Sequence, residues 1–520
     1  MNLTLEQKIG QMLCFGWSGE TEEENLTYSA HARELIEDMQ VGGVILMGRN
    51  AQPPYIQTAE TINRMQNTSR LPLFVVTDQE GGMVARFGEP MTVFPSNMAI
   101  GATQSVDFAR QAAQATAEEL KAVGINFDFA PAVDVNNNPD NPIIGTRSFG
   151  ESPELVGKLG AAAVEGYQSS GVIACAKHFP GHGDTAVDSH LALPVVPFEK
   201  ERLWEIELAP FMEAIKAGVD SIMTTHIMFS VFDQERPATL SRKIVTDLLR
   251  GEMGFNGVVV TDCLEMKAIA DNYGIGEAAV LAVEAGVDIL LACHTLSAQR
   301  EIRNAVINAV KTGRVPESRI DESLERILAL KQKYQLDERR FADTQEVLQR
   351  LGTPEHKELQ RKIAESSITV VKDRDQLLPV VVCGKCSILV TGLHRSVEQL
   401  AEAISEYHTS IKAIQADQDN IDEAVKAAYR SAAAIVVTCP KEPWTQPINE
   451  AAQVELVKRI YATGTPTVVI AVREPYDLRH FPEIGTYVAT YGYMKVQLET
   501  AAKLLFGKIK PHGQLPVTIP

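Results

Sequence analysis

Eight short apolar runs punctuate the first 300 or so residues, about the length of a (β/α)8 barrel, and they are continuous rather than alternating. They are Gln11–Phe15, Gly43–Met47, Leu73–Thr77, Ile125–Phe129, Val172–Ala176, Ser221–Thr224, Val258–Thr261 and Asp288–Ala292. A strand with one solvated face alternates apolar and polar residues, whereas a parallel strand covered on both faces does not. Helix-like stretches at Ser105–Ala122, Pro153–Ser169, Leu203–Ala217 and Gly276–Ala285 lie between these runs. Eight such strand–helix units predict a (β/α)8 barrel over residues 1–336. A charged, glycine-poor stretch from Asp337 to Glu365 reads as a helical connector. Residues 366–520 then repeat an α/β pattern, with strands at Ser367–Val371, Ser387–Thr391, Ala433–Thr438, Thr467–Val472 and Thr486–Thr490. Helices at Val397–Glu406 and Ile421–Ala434 complete an α/β sandwich with a mostly parallel sheet.

Polar residues gather where the strands end. Leu73–Thr77 runs into Asp78-Gln79-Glu80-Gly81-Gly82, and Ile125–Ala130 runs into Pro131-Ala132-Val133-Asp134. Val172–Ala176 runs into Lys177-His178, Ser221–Thr225 into His226, and Val258–Thr261 into Asp262. The C-terminal ends of the strands are where a barrel keeps its chemistry. The densest of these junctions runs from Lys177 to His190, K-H-F-P-G-H-G-D-T-x-x-D-S-H. Six of its side chains carry charge, hold a proton or ligate a metal, and Gly181 and Gly183 give its backbone freedom to carry His190 in and out.

Each group has a plain reading beside a chemical one. Asp262 is either the cap of the helix that follows or a nucleophile or base at the rim. Asp188 beside His190 is a local pair, or a carboxylate that orients an imidazole for proton transfer. Lys177 and His178 are placed to donate to sugar hydroxyls or to an anion. Asp78 and Arg86 flank two glycines that admit a ligand to the backbone. The Asn136–Pro142 loop is turn chemistry, and Arg147, just beyond it, is the residue there with a binding role. His178, His182, Asp184 and His190 have no compact metal-ligand spacing, so the site is read as metal-free. Cys383-Gly384-Lys385-Cys386 has no second pair to complete a zinc site and reads as a structural turn. Cys293-His294 closes a strand with nothing in sequence to pair it, and Trp444 is a packing residue rather than a sugar platform.

Taken together these blocks resemble glycoside hydrolase family 3, in its bacterial β-N-acetylglucosaminidase branch. The signature is the 177–190 run, supported by Thr77–Gly82, Gly145–Gly150, Thr261–Met266, Ala364–Lys372 and Gly513–Pro516. Cys263 stands where relatives often carry another small or acidic residue. The resemblance implies a retaining exo-β-N-acetylglucosaminidase (a β-N-acetylhexosaminidase) releasing terminal N-acetylglucosamine from chitooligosaccharides or muropeptide fragments. It implies Asp262 as nucleophile and His190, paired with Asp188, as acid/base. Asp78, Arg86, Arg147, Lys177 and His178 would hold the sugar, and no cofactor is implied. A phosphorylase on the same scaffold is the alternative, because a neutral histidine repels phosphate less than a carboxylate does. A non-catalytic sugar-binding protein would not need the proton machinery, and a metal-dependent hydrolase would be sensitive to chelation.

Composition narrows the partners. The net charge is −18 and the pI about 5.2, with no Lys/Arg run, which argues against nucleic acid. No apolar run reaches the roughly 20 residues that span a bilayer, and the first ten residues read as an amphipathic helix rather than a leader peptide. Seven cysteines, an odd number, suit a reducing compartment better than a disulfide framework. The expected partner is therefore a small carbohydrate, and the expected location the cytoplasm.

Overall fold

A computed structural model describes residues 3–185, 193–440 and 448–520. Asp188, His190 and Trp444 lie outside these residues. The chain forms two compact units: Met1–Val93, Ala109–Ile144 and Ser152–Lys357 make the first, and Phe94–Phe108, Gly145–Glu151 and Glu358–Pro520 make the second.

The first unit is the (β/α)8 barrel. Its strands are β1 (Leu13–Gly16), β2 (Gly43–Ile45), β3 (Phe74–Thr77), β4 (Phe127–Asp128), β5 (Ile173–Phe179), β6 (Ser221–Thr224), β7 (Val258–Thr261) and β8 (Leu290–Ala292). They run parallel in chain order from β1 to β7, and β8 pairs with β1. The ring is completed by a parallel bridge between Val260 and Ile289, where the Ile289 carbonyl accepts from the Thr261 N–H at 3.0 Å. Every strand residue of β1, β2, β3, β5, β6, β7 and β8 is buried, as continuous apolar runs require.

Two sequence expectations shift for local reasons. β5 continues through Lys177, His178 and Phe179, so the first two residues of the signature run belong to the strand; its register slips between Ala176 and Phe179. The single helix expected over Leu203–Ala217 is two, Lys200–Glu205 and Ala209–Lys216. Pro210 lacks the N–H that a continuous helix needs and sits in the first turn of the second piece, where none is required.

The N-terminal end of the barrel is held by buried ionic groups. Lys331 donates to Gln11 Oε1 at 2.8 Å and to the Gly42 carbonyl at 2.9 Å, and lies 4.8 Å from the Phe74 ring centre. Its burial pushes the amine down to about 7. Asp288, just before β8, accepts from Arg250 at 2.5 Å, Arg326 at 3.0 Å and Ser323 at 2.7 Å. Side chains at this end of a barrel serve stability.

The second unit is a six-stranded sheet covered by helices. Its strands are β9 (Thr369–Asp373), β10 (Ile388–Gly392), β11 (Ile411–Gln415), β12 (Ala433–Thr438), β13 (Thr467–Ala471) and β14 (Thr486–Ala489). They lie in the order β9-β14-β13-β12-β10-β11, and only the β9–β14 pair is antiparallel. One apolar core forms around Ile388, Val390, Ile435 and Leu400, and another around Leu389, Val436, Leu456 and Val469. Strand β11 is absent from the sequence reading because it is an edge strand whose only buried residue is Ile414. Two earlier pieces of chain fold into this unit: Ser96 Oγ donates to the Tyr491 carbonyl at 2.7 Å, and the Pro516 carbonyl accepts from Glu151 N at 3.1 Å.

The connector is less helical than expected, with helices only at Val347–Arg350 and Pro354–Ser367. Cys383 and Cys386 form a tight turn joined by a disulfide, so the turn reading stands and one cystine is added to it. No described helix is long and apolar enough to cross a membrane.

The last turn of barrel-unit chain is tied down by one buried carboxylate. Glu119 accepts from His356 Nδ1 at 2.7 Å, from Thr92 N at 2.8 Å and from Gly352 N at 3.1 Å. The hydrogen bond to Glu119, with Glu118 adding charge, raises the His356 pKa against the effect of burial. A histidine whose folded pKa exceeds its unfolded one, about 6.5, contributes its full charge-linked stability below that value. The contribution is lost as pH rises through the folded pKa. The thermal-stability gap between wild type and His356→Gln should therefore be widest below pH 6 and narrow above neutrality in differential scanning fluorimetry. A gap that stays constant across pH would refute the linkage.

Candidate active site

The C-terminal ends of β3 and β5 meet through a buried cation. Lys177, only 2% exposed, donates to Asp78 Oδ1 at 2.9 Å and to Glu80 Oε1 at 2.7 Å. Arg86 Nη2 donates to the other oxygen of Asp78 at 3.2 Å. Burial alone would raise the Asp78 pKa, but the charges of Lys177 and Arg86 outweigh it and hold the carboxyl below its usual range. Asp78 is thus an ionised acceptor, 15% exposed, at the mouth of the barrel.

The residues between Asp78 and Arg86 form a short hairpin, Gln79–Gly81 against Val84–Ala85. Gly81 and Gly82 take φ of 92° and 57°, a turn that a side chain disfavours. Gln79 closes the hairpin by accepting from Arg86 N at 2.8 Å and Phe87 N at 3.0 Å. The two glycines therefore shape the turn that presents Arg86. Below it lies Asp128, fully buried, whose Oδ1 accepts from Gln79 N at 2.9 Å. Burial pushes Asp128 up to about 8, with Asp78 and Glu80 adding to the rise, so this carboxyl is mostly neutral at pH 7.

His178 is set by Asp134, a residue left out of the sequence-based site. Asp134 Oδ2 lies 2.8 Å from His178 Nδ1, and its Oδ1 accepts from His178 N at 3.2 Å and His182 N at 2.7 Å. Burial opposes ionisation of Asp134, yet the two imidazoles and the backbone donors hold its pKa below the ordinary value. The carboxylate fixes the ring orientation.

The start of the signature loop is pinned at several points. Asn141 Nδ2 donates to the carbonyls of His182 and Gly183, both at 2.8 Å, while its Oδ1 caps Ile143 N and Ile144 N. His182 Nδ1 lies 3.0 Å from Thr185 Oγ1, and Asp184 accepts from Arg202 at 2.6 Å. A Cβ on Gly183 would sit 1.7 Å from the Val135 carbonyl oxygen, and one on Gly181 would sit 2.8 Å from Glu207 Cβ. These glycines permit close approach of backbone to its neighbours, a different use from the hinge read in the sequence.

Asp262 follows β7 directly. Its N–H donates to the Thr224 carbonyl at 3.2 Å, and its Oδ1 accepts from Cys263 N at 2.7 Å. It caps no helix N-terminus, because the next helix begins at Lys267. His226, at the end of β6, is fully buried, with Nδ1 2.8 Å from Thr239 Oγ1 and Nε2 3.1 Å from the Cys263 carbonyl.

The structure thus gathers Asp78, Arg86 and Lys177 into one network, adds His178 through Asp134, and puts Asp262 on the same rim. Arg147 belongs to the second unit, at the end of a single turn Gly145–Arg147. Its carbonyl accepts from Asn97 Nδ2 at 2.7 Å, and Glu474 Oε1 accepts from Thr146 N at 3.3 Å. Asp188 and His190 fall outside the described residues. Glu80 and Asp134 were legible: each lies in a strand-end block, and the rule that singled out Asp262 applies to Asp134 as well.

Residues 4–330 match the model of the glycosyl hydrolase family 3 N-terminal domain, and residues 364–520 match that of its C-terminal domain. Beta-hexosaminidase A of Pseudoalteromonas piscicida is 34% identical, with 99% of this chain and 97% of that protein aligned. The beta-N-acetylglucosaminidase/beta-glucosidase of Cellulomonas fimi is 30% identical over 98% of this chain and 93% of that protein. The solved structure of a glycoside hydrolase family 3 beta-N-acetylglucosaminidase from Paenibacillus sp. str. FPU-7 superimposes with a TM-score of 0.90. It is 37% identical, covering 100% of this chain and 99% of that one.

The Lys177 network makes a quantitative demand. Removing one partner of a buried ion pair costs about 3–5 kcal/mol because the other charge is left uncompensated. Lys177→Met should lose about that much stability in the urea transition of the barrel, and adding Glu80→Gln to it should recover part of the loss. Equal stability of the single and double variants would show that Glu80 is not part of the charge balance.

Proposed function

Because the chain belongs to glycosyl hydrolase family 3, we propose that it is a retaining exo-β-N-acetylglucosaminidase acting on chitooligosaccharides or muropeptide fragments. The observation that carries the acetamido specificity is the end-to-end likeness to relatives that bear that name, in sequence and in fold. Asp262 attacks the anomeric carbon and forms the glycosyl-enzyme. His190, oriented by Asp188, first protonates the departing oxygen and then takes a proton from the attacking water. Double displacement of this kind retains configuration.

The geometry of the described residues supports the binding half of the reading. Asp78, held ionised by Lys177 and Arg86, accepts from sugar hydroxyls. His178, oriented by Asp134, donates to or accepts from them, and Lys177 and Arg86 add donors. Arg147 is carried into the reading by the family resemblance alone. A ring of fixed charges of both signs, buried before the sugar arrives, spends little reorganisation on binding it. The Cys263 N–H donates to Asp262 Oδ1 and steadies the carboxylate proposed to attack.

The test is hydrolysis of an aryl N-acetyl-β-glucosaminide by wild type and Asp262→Asn, with the aryl β-glucoside as the control that the name of the Cellulomonas relative calls for. The expected result is strong activity on the acetamido sugar, little on the plain glucoside, and a loss of about 10³-fold or more in the variant. The first product seen by NMR should be the β-anomer, and EDTA should leave the rate unchanged. Full activity of Asp262→Asn would remove the nucleophile assignment. A rate that depends on inorganic phosphate, with sugar 1-phosphate as product, would move the reading to a phosphorylase.

A further inference from the structure

Beside Asp262, the ends of β7 and β8 bring together donors that the proposed hydrolysis does not use. Cys263 follows Asp262, and Cys293 and His294 follow β8. One ligand atom from each of the three lies within 4.8 Å of the others. Both thiols are buried. Glu265 lies beside them: its Oε2 is 3.8 Å from Cys263 Sγ, and its carboxylate accepts from His294 N at 2.7 Å and Thr295 N at 2.8 Å. In sequence Cys293-His294 had nothing to pair with; closure of the barrel supplies Cys263 from the neighbouring strand.

Buried cysteines are ordinarily small hydrophobes, and one thiol here would need no other account. Two thiols and an imidazole with ligand atoms within 4.8 Å of one another are a different matter. Sulfur and imidazole donors suit zinc-like ions, whereas magnesium and calcium take oxygen. Arg49 Nη1 lies 3.0 Å from His294 Nδ1. The thiols are 8% and 4% exposed, while His294 is exposed, so a cation enters from the His294 side.

We propose that Cys263, Cys293 and His294 form a binding site for a thiophilic divalent cation of the zinc class, with Glu265 or water as fourth ligand. Occupying it inhibits the enzyme. The inhibitory part rests on the role proposed for Asp262: Cys263 both ligates the ion and supplies the N–H that steadies that carboxylate, so the ion locks the residues that must adjust around the nucleophile.

The experiment is a titration of the reduced full-length protein with Co2+, using a background variant, Cys383→Ser/Cys386→Ser, that removes the other close cysteine pair. A sulfur-to-cobalt charge-transfer band that saturates at one equivalent is expected, and Zn2+ should abolish it. The band should disappear in Cys263→Ser and in Cys293→Ser, and competition with a chromophoric chelator should show Zn2+ affinity falling about tenfold or more. Thermal melts of both variants establish that they are folded. Absence of the band in the background variant, or its survival in folded Cys263→Ser, overturns the site. In parallel, Zn2+ should slow hydrolysis of the aryl N-acetyl-β-glucosaminide, EDTA should restore it, and Cys263→Ser should resist it. Full activity at saturating Zn2+ overturns the inhibition. If the protein cleaves no such glycoside, the functional reading fails while the band still reports the site, so the two failures are distinct.

Discussion

Closure of the β-sheet between β7 and β8 is the constraint on which the remainder of the barrel depends. An open parallel sheet would leave the edges of β7 and β8 unpaired and spread the strand ends along a line. The Val260–Ile289 bridge bends that line into a ring, and every strand-end residue then faces a common mouth. Asp78, Lys177, His226 and Asp262 are far apart in the chain and share a rim only because the ring is closed. The same closure brings Cys263 beside Cys293.

Once a ring of polar groups is buried at one end, its members must satisfy one another. Lys177 neutralises Asp78 and Glu80, Asp134 holds His178, and Asp128 escapes the cost of a buried charge by keeping its proton. The opposite end solves the same problem differently. Asp288 is surrounded by Arg250, Arg319 and Arg326, and Lys331 is spent on a carbonyl and an amide. Those charges are answered by their immediate neighbours. At the mouth, Asp78 and Arg86 stay partly exposed, at 15% and 26%.

The barrel was legible because its eight apolar runs are long enough to show and are followed by polar blocks at a constant place. Strand β11 was not, since an edge strand with one buried residue has no apolar run to read. The end of β5 was misplaced because Lys177 and His178 look like loop residues, and only their ion partners, Glu80 and Asp134, allow them to be buried inside a strand. Asn141 was read as turn chemistry, which its Oδ1 does provide. Its Nδ2 also holds the loop 41 residues away, a contact no local pattern carries. Asp78, Lys177, His178 and Asp262 were singled out from strand ends; Glu80 and Asp134 lie in the same strand-end blocks, and the buried cation and imidazole they hold show what they are for.

Arg147 illustrates where chain order and packing part company. It follows the β4 loop and precedes the helix Pro153–Ser169, so sequence spacing assigns it to the barrel. Its segment, 145–151, nevertheless packs with the second unit. There Gly145 is pressed against Glu474, where a Cβ would lie 2.0 Å from Oε1, and Gly150 against Pro516. Residues 94–108 do the same through Ser96 and Ala102, the latter accepting at its carbonyl from Gln514 N at 2.8 Å. The two units therefore interleave in sequence even though each has its own sheet and core. Cutting the chain at the connector would divide the second unit's packing as well as the chain, leaving Arg147 on a segment stripped of the residues that hold it. The segment that carries Arg147 is therefore set by the fold of the second unit, although its neighbours in sequence build the barrel.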